Sequence, residues 1–227
     1  MKPKVFHPWE VTPKEALEIQ EKLKRRLDNQ PSRLKKLEKI AAVDASYSKN
    51  ERTIFAVAVV LSYPGLDILE KKAAALKTSF PYIPGLLVFR EGPALVRVLE
   101  QVETEPDLIM FDGQGIAHPR GIGIATHLGI LFEKPSIGVA KTRLVGRYTE
   151  PASDAGSYSF SEDKNRVVGA VLRTRSQVKP VFVSTGFGID LEEALAIVGN
   201  CLKGYRLPEP IRLAHLFSNR ARAKIET

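Results

Sequence analysis

The sequence has 227 residues, 44% of them hydrophobic, enough for one domain with a substantial core. Its 34 Lys and Arg against 26 Asp and Glu leave a formal charge of +8, which favours a polyanionic partner but does not by itself separate nucleic acid from other acidic surfaces. A lone cysteine, Cys201, excludes an internal disulfide and any paired-cysteine zinc or redox motif. The first nine residues carry no secretory signal and no apolar run is long enough to span a bilayer, so a single cytoplasmic domain over residues 1–227 is expected, with no membrane partner.

The first helix is marked by Thr12-Pro13-Lys14-Glu15, where Thr12 caps, Pro13 suits the first helical position and Glu15 closes a capping box; Ala16, Ile19, Leu23 and Leu27 form its apolar face. A break at Gln30-Pro31-Ser32 and a basic run (Arg33, Lys35, Lys36) lead into three strands, Lys39 to Tyr47, Ile54 to Leu61 and about Asp67 to Leu76, expected as an antiparallel meander. After the loop Phe80-Pro81-Tyr82-Ile83-Pro84-Gly85 a helix is predicted from about Glu91 to Val102. Next come a buried strand, Asp107 to Phe111, a small apolar helix from about Gly123 to Phe132, and a strand at Ser136 to Ala140. The polar stretch Glu150 to Asn165 precedes a hairpin, Val167 to Thr174 with Pro180 to Ser184, and helices near Asp190 to Leu202 and Arg212 to Lys224 close the chain. Three antiparallel strands followed by helix, strand, helix, strand describe an α/β fold, a mixed sheet flanked by helices, in the order of the ribonuclease H-like fold.

Asp44 interrupts an apolar strand, and burying an unpaired carboxylate costs several kcal/mol, so either a bound cation or a turn-capping hydrogen bond must compensate it. Asp112 repeats the pattern after Leu108-Ile109-Met110-Phe111, at the carboxyl end of a strand where α/β sheets place their sites. If the two strands are neighbours, both carboxylates reach one edge, and such oxygen donors suit Mg²⁺ or Mn²⁺ rather than zinc. Glu91, near a helix start, is equally explained by the helix dipole, and sequence physics alone does not select it. Gly113-Gln114-Gly115 is not a dinucleotide fingerprint: His118 stands where the third glycine belongs and Asp112 would face a pyrophosphate. The same glycines would let backbone approach a base or phosphate. Tyr82, stiffened by Pro81 and Pro84, is either a wedge that fills the hole left by an extruded base or a residue packed on the core. Lys141, with Arg143 and Arg147 nearby, is a phosphate contact or a solvated strand end. His215 is an accessory group beside a metal-bound water or phosphate, or a structural helical histidine. His118 and His127 lack zinc spacing, Cys201 reads as core, and Ser184-Thr185-Gly186 lacks a hydrolase elbow.

Five blocks, Val43-Asp44-Ala45-Ser46-Tyr47, Phe80 to Pro93, Asp112-Gly113-Gln114-Gly115-Ile116-Ala117-His118-Pro119-Arg120, Gly138-Val139-Ala140-Lys141 and Arg212-Leu213-Ala214-His215, resemble the endonuclease V family in order and spacing. The resemblance implies a ribonuclease H-like fold and Mg²⁺-dependent hydrolysis, with Mn²⁺ able to substitute, of the second phosphodiester bond 3′ to hypoxanthine, leaving 3′-hydroxyl and 5′-phosphate ends. It assigns Asp44, Glu91 and Asp112 to the metal, His215 and Lys141 to accessory catalytic roles, and Tyr82, with Pro81, Ile83 and Pro84, to the wedge. Gly85, Leu87, Gly113, Ile116 and His118 would surround the flipped base. The implied partner is DNA containing deoxyinosine, or inosine-containing RNA, cut by a monomer; a structure-selective nuclease of the same fold and a noncatalytic nucleic-acid binder are the alternatives.

Overall fold

The computed structural model describes residues 1–27 and 34–226, with the side chains of the last helix described through residue 223; the anticipated break at Gln30-Pro31-Ser32 and Arg33 lie outside them. Helix α1 (Pro13–Lys24) starts as expected: the Thr12 hydroxyl accepts from the Glu15 amide and the Glu15 carboxylate accepts from the Thr12 amide, with Pro13 in the first turn. The meander is β1 (Lys39–Tyr47), β2 (Thr53–Ser62) and β3 (Ile68–Lys77). Helix α2 (Leu87–Glu100), β4 (Leu108–Phe111), α3 (Ile124–Phe132) and β5 (Ser136–Ala140) follow, then β6 (Tyr158–Asp163), β7 (Arg166–Leu172), β8 (Val181–Thr185), α4 (Leu191–Asn200) and α5 (Glu209–Glu226).

The eight strands among the described residues form one mixed sheet in the order β3-β2-β1-β4-β5-β8-β7-β6, with β1, β4 and β5 mutually parallel at its centre and the remaining pairs antiparallel. Because side chains alternate across a strand, Ala41 and Val43 of β1 pack on the face covered by α1, α2 and α3, whereas Ile40 and Ala42 pack with residues of α4 and α5 on the other. Asp44, in step with Ala42, therefore faces α5.

Three elements depart from expectation. Helix α2 begins at Leu87, not near Glu91: burial of Val88 and Phe89, and bonds from the Arg90 guanidinium to the carbonyls of Phe80 (2.7 Å) and Glu51 (2.8 Å), hold a turn that runs on through Pro93. Glu91 is thus in the second turn, which removes the helix-dipole explanation for it. Helix α5 starts at Glu209, three residues early, because Pro210 falls in the first turn, where a missing N–H costs nothing. The stretch read as merely polar contains β6, an edge strand whose Tyr158 and Phe160 remain half exposed; it turns into β7 through Lys164 and Asn165, both left-handed, as a two-residue hairpin requires. No helix among the described residues is long and apolar enough to cross a membrane.

Candidate active site

The parallel pairing of β1 with β4 sets Val43 opposite Phe111, and the Asp112 amide donates to the Val43 carbonyl (3.3 Å), so Asp44 and Asp112 lie at one level of the sheet. Asp44 is inside β1, three residues short of its end. Helix α5 crosses this face and brings in His215, so that ligating atoms of Asp44, Asp112 and His215 lie within 4.8 Å of one another. Asp44 is 7% exposed, and its Oδ2 accepts from the Ser218 hydroxyl (2.6 Å) and from His215 Nδ1 (3.2 Å). Asn219 Nδ2 donates to His215 Nε2 (3.3 Å) and the Lys141 ammonium lies 3.4 Å from His215 Nδ1, so the imidazole is held between Asp44, Lys141 and Asn219. Lys141, at the end of β5, sets its ammonium 2.6 Å from Asp112 Oδ2.

Glu91 approaches from the opposite face on α2. Its carboxylate is 9% exposed and accepts from the Tyr47 hydroxyl (2.5 Å), and it is not one of the three groups whose ligating atoms converge within 4.8 Å. Burial, and after it the charges of Asp44 and Asp112, push the Glu91 carboxyl up to about 7 against the Tyr47 hydrogen bond. The Asp112 carboxyl is raised by the same causes, burial first and then Asp44, with Lys141 opposing. A cluster of acids that raise one another's proton affinity lacks positive charge. The carboxylate oxygens with one imidazole are a donor set that fits a hard divalent cation, and the Lys141 ammonium, which is no ligand, offsets part of the charge of Asp112.

Beside the cluster opens a cavity of about 310 Å³, lined on one side by Tyr82, Pro84, Gly85 and Leu87, on another by Gly113 and His118, and closed by the segment Lys141 to Leu144. Asp112 and Lys141 belong to both cluster and cavity wall. Tyr82 is 65% exposed, a lip rather than a core residue, while Ile83 packs against the core and Pro81 is exposed outside the cavity. Ile116 does not line the cavity, contrary to expectation: its amide is bound to the Thr185 carbonyl (2.8 Å), tying the loop to β8. Gly115 also serves packing, not ligand approach, since a Cβ there would lie 2.0 Å from the Thr185 carbonyl oxygen. Arg143 lines the cavity, whereas Arg147 is engaged in a backbone bridge with Glu162.

Of the other histidines, His118 faces the cavity and His127 is fully buried against His7 (Nε2 to Nε2, 2.7 Å). Cys201 is buried, its thiol pushed up to about 12 by burial. Ser218, Ser46 and Asn219 escaped the sequence reading: Ser46 donates to the Ser218 carbonyl (2.9 Å) and so fixes the helix that holds Asp44. Their signal was periodicity, since Ser46 follows Asp44 by two on a strand, and Ser218 and Asn219 follow His215 by three and four on a helix.

The family model of endonuclease V matches residues 21–216. An endonuclease V of Methanothrix thermoacetophila is 48% identical over 218 residues, 96% of either chain. The crystal structure of endonuclease V from Streptomyces avermitilis superposes with a TM-score of 0.90 at 37% identity, covering 100% of both chains. That of Ciona intestinalis endonuclease V, in complex with a 24mer DNA containing an inosine followed by a ribo-adenosine, superposes at 0.80 with 30% identity, covering 93% of this chain and 98% of the other. The chain belongs to the endonuclease V family, metal-dependent nucleases with a ribonuclease H-like fold.

Proposed function

We propose that this protein is a Mg²⁺-dependent endonuclease of nucleic-acid repair that accepts an extruded hypoxanthine base from DNA and hydrolyses the second phosphodiester bond on its 3′ side, leaving 3′-hydroxyl and 5′-phosphate ends. The observation that carries this reading is that Asp112 and Lys141 belong at once to the acidic cluster and to the cavity wall. A base held in the cavity brings its own strand beside the cluster, so recognition and cleavage occur on one strand a short distance apart. At about 310 Å³ the cavity falls at the small end of ligand pockets, which run to roughly 300–1,000 Å³. The inosine-containing DNA held by the Ciona protein supports the choice of base.

Asp44 and Asp112, with Glu91 and His215 beside them, would hold the metal, which when bound supplies an activated water and stabilises charge on the leaving oxygen. Ser218 and His215 fix the Asp44 carboxylate in one orientation before any ion arrives. Lys141 balances Asp112 and stands ready to take a phosphate oxygen as a second anionic partner. Tyr82 projects from its proline-stiffened loop at the cavity mouth, where it fills the gap that an extruded base leaves in the stack.

The test is a denaturing gel of matched DNA and RNA oligonucleotides, with and without one inosine, incubated in Mg²⁺ or EDTA. A Mg²⁺-dependent cut one nucleotide beyond the inosine is expected in DNA. Equal cutting of undamaged branched substrates would establish a structure-selective nuclease, and binding without a cut a noncatalytic one. Tyr82→Ala is expected to weaken binding of the inosine oligonucleotide about tenfold or more, the scale of one lost base–aromatic stack, with Mn²⁺ affinity unaltered. Unchanged lesion preference in that variant, measured by fluorescence anisotropy, would remove the wedge.

A further inference from the structure

Helix α1 carries no residue of the acidic cluster, yet it reaches the base cavity through one side chain. Its buried stripe is Ala16, Gln20 and Leu23, so an amide, 1% exposed, sits where an apolar residue would satisfy the helix pattern. Such an amide is tolerated in a core only when its hydrogen bonds are made. Here they are: Gln20 Nε2 donates to the carbonyls of Gly85 (3.1 Å) and Ile122 (3.3 Å), and Oε1 accepts from Arg120 Nε (2.6 Å). Those partners lie on both loops of the cavity, the proline-bounded loop ending at Gly85 and the segment from Gly113 to Gly123.

The Gly85 carbonyl is where the loops meet. Besides Gln20 it accepts from Arg120 Nη2 (2.5 Å) and from His118 Nε2 (3.0 Å), while His118 Nδ1 accepts from the Arg120 amide (3.3 Å), which places the ring hydrogen on Nε2. Burial, then the Arg120 charge, hold the His118 imidazole down at about 4, so it stays neutral and keeps this pattern at neutral pH. Gly85 has φ +81°, open to glycine and strained for other residues, and a Cβ there would lie 2.8 Å from Arg120 Nη2. Gln20, Gly85, His118 and Ile122 all line the cavity.

We infer that Gln20, clamped by Arg120, is a positioning residue for base selectivity: it sets the separation of the two loops between which the extruded base is held. The inference rests on the hypoxanthine-specific reading above. Neither side chain needs to touch the scissile bond; both act through the Gly85 and Ile122 backbone.

The experiment compares wild type, Gln20→Leu and Gln20→Glu in steady-state cleavage of an inosine oligonucleotide and of its undamaged counterpart, with Mn²⁺ affinity and melting temperature measured alongside. Leucine keeps the volume and removes every bond. Glutamate keeps the Arg120 partner and removes the donor to Gly85 and Ile122, and it carries the same test should the leucine variant fail to fold. For either variant the ratio of kcat/KM on inosine to that on undamaged DNA is expected to fall about tenfold or more, on the scale of one or two lost hydrogen bonds, mainly through KM. Mn²⁺ affinity should hold. A folded variant whose ratio equals that of wild type, whatever its melting temperature, would overturn the inference and leave Gln20 a purely structural residue. Wild type that shows no inosine preference in the same assay would defeat the functional reading instead, so the two failures are distinguishable.

Discussion

Asp112→Asn is expected to lower the cleavage rate at least about 10³-fold, the scale on which removal of a group central to catalysis is felt, and at the same time to stabilise the metal-free protein. Both effects have one origin. Asp112 is 12% exposed at the side chain and faces Asp44 across the junction of β1 and β4. Its carboxyl is raised by burial first and by Asp44 second, with the Lys141 ammonium offsetting part of this. An acid whose proton affinity is higher in the folded than in the unfolded chain makes the fold less stable as pH rises through that interval, and the full penalty is present above the folded value. Asparagine has the same shape and no charge, so at pH 8 in EDTA the variant should unfold at higher urea than wild type, and the gain should fade on acidification. Lys141 loses its partner, but its side chain is 34% exposed and can be hydrated at small cost. Added Mg²⁺ should raise the urea midpoint of wild type and not that of the variant, since an ion stabilises only the fold that binds it. Cleavage within tenfold of wild type would take Asp112 out of the metal site, and a less stable variant in EDTA would refute the electrostatic account.

The meander and the two central strands that follow it were legible because their causes are local. Nearly continuous apolar runs mark β1 and β2, alternation and the turn before it mark β3, and Leu108 to Phe111 and Ser136 to Ala140 are short apolar runs. Asp44 and Asp112 stood out for the same reason, one a charge inside an apolar strand and the other a charge directly after one. What stayed hidden depends on tertiary contacts. The start of α2 is decided by an Arg90 guanidinium bound to carbonyls of two other segments, and β6 by its place at the sheet edge, which leaves Tyr158 and Phe160 half exposed. Gln20 was passed over in the α1 pattern because an amide does not read as core until its partners, residues 65 and 102 positions away, are folded against it. The resemblance located Glu91 without explaining it, and the structure supplies the explanation: a buried acid on α2 whose hydroxyl partner, Tyr47, ends β1.

That placement makes Glu91→Gln the sharpest test of the third carboxylate. The variant is expected to lose cleavage at least about 10²-fold and to bind Mg²⁺ more weakly, because one negative charge leaves a site that must neutralise a divalent cation. Glutamine can still accept from the Tyr47 hydroxyl, so packing is retained. In the metal-free wild type the Glu91 carboxyl is lifted from its ordinary value of 4.5 to about 7, by burial first, then by the Asp44 and Asp112 charges, over the opposing Tyr47 bond. The folded chain therefore holds a proton that the unfolded chain has released, and wild type loses stability as pH rises from about 4.5 to about 7, on the order of 3 kcal/mol in all. The glutamine variant has no such proton to lose. In EDTA the two proteins should unfold alike near pH 4.5 and diverge across this window, with the variant more stable above pH 7. Urea titrations at pH 5 and pH 8 decide the matter: a stability difference that does not change between them means that Glu91 carries no buried charge, and an active variant means that Asp44 and Asp112 hold the ion without it.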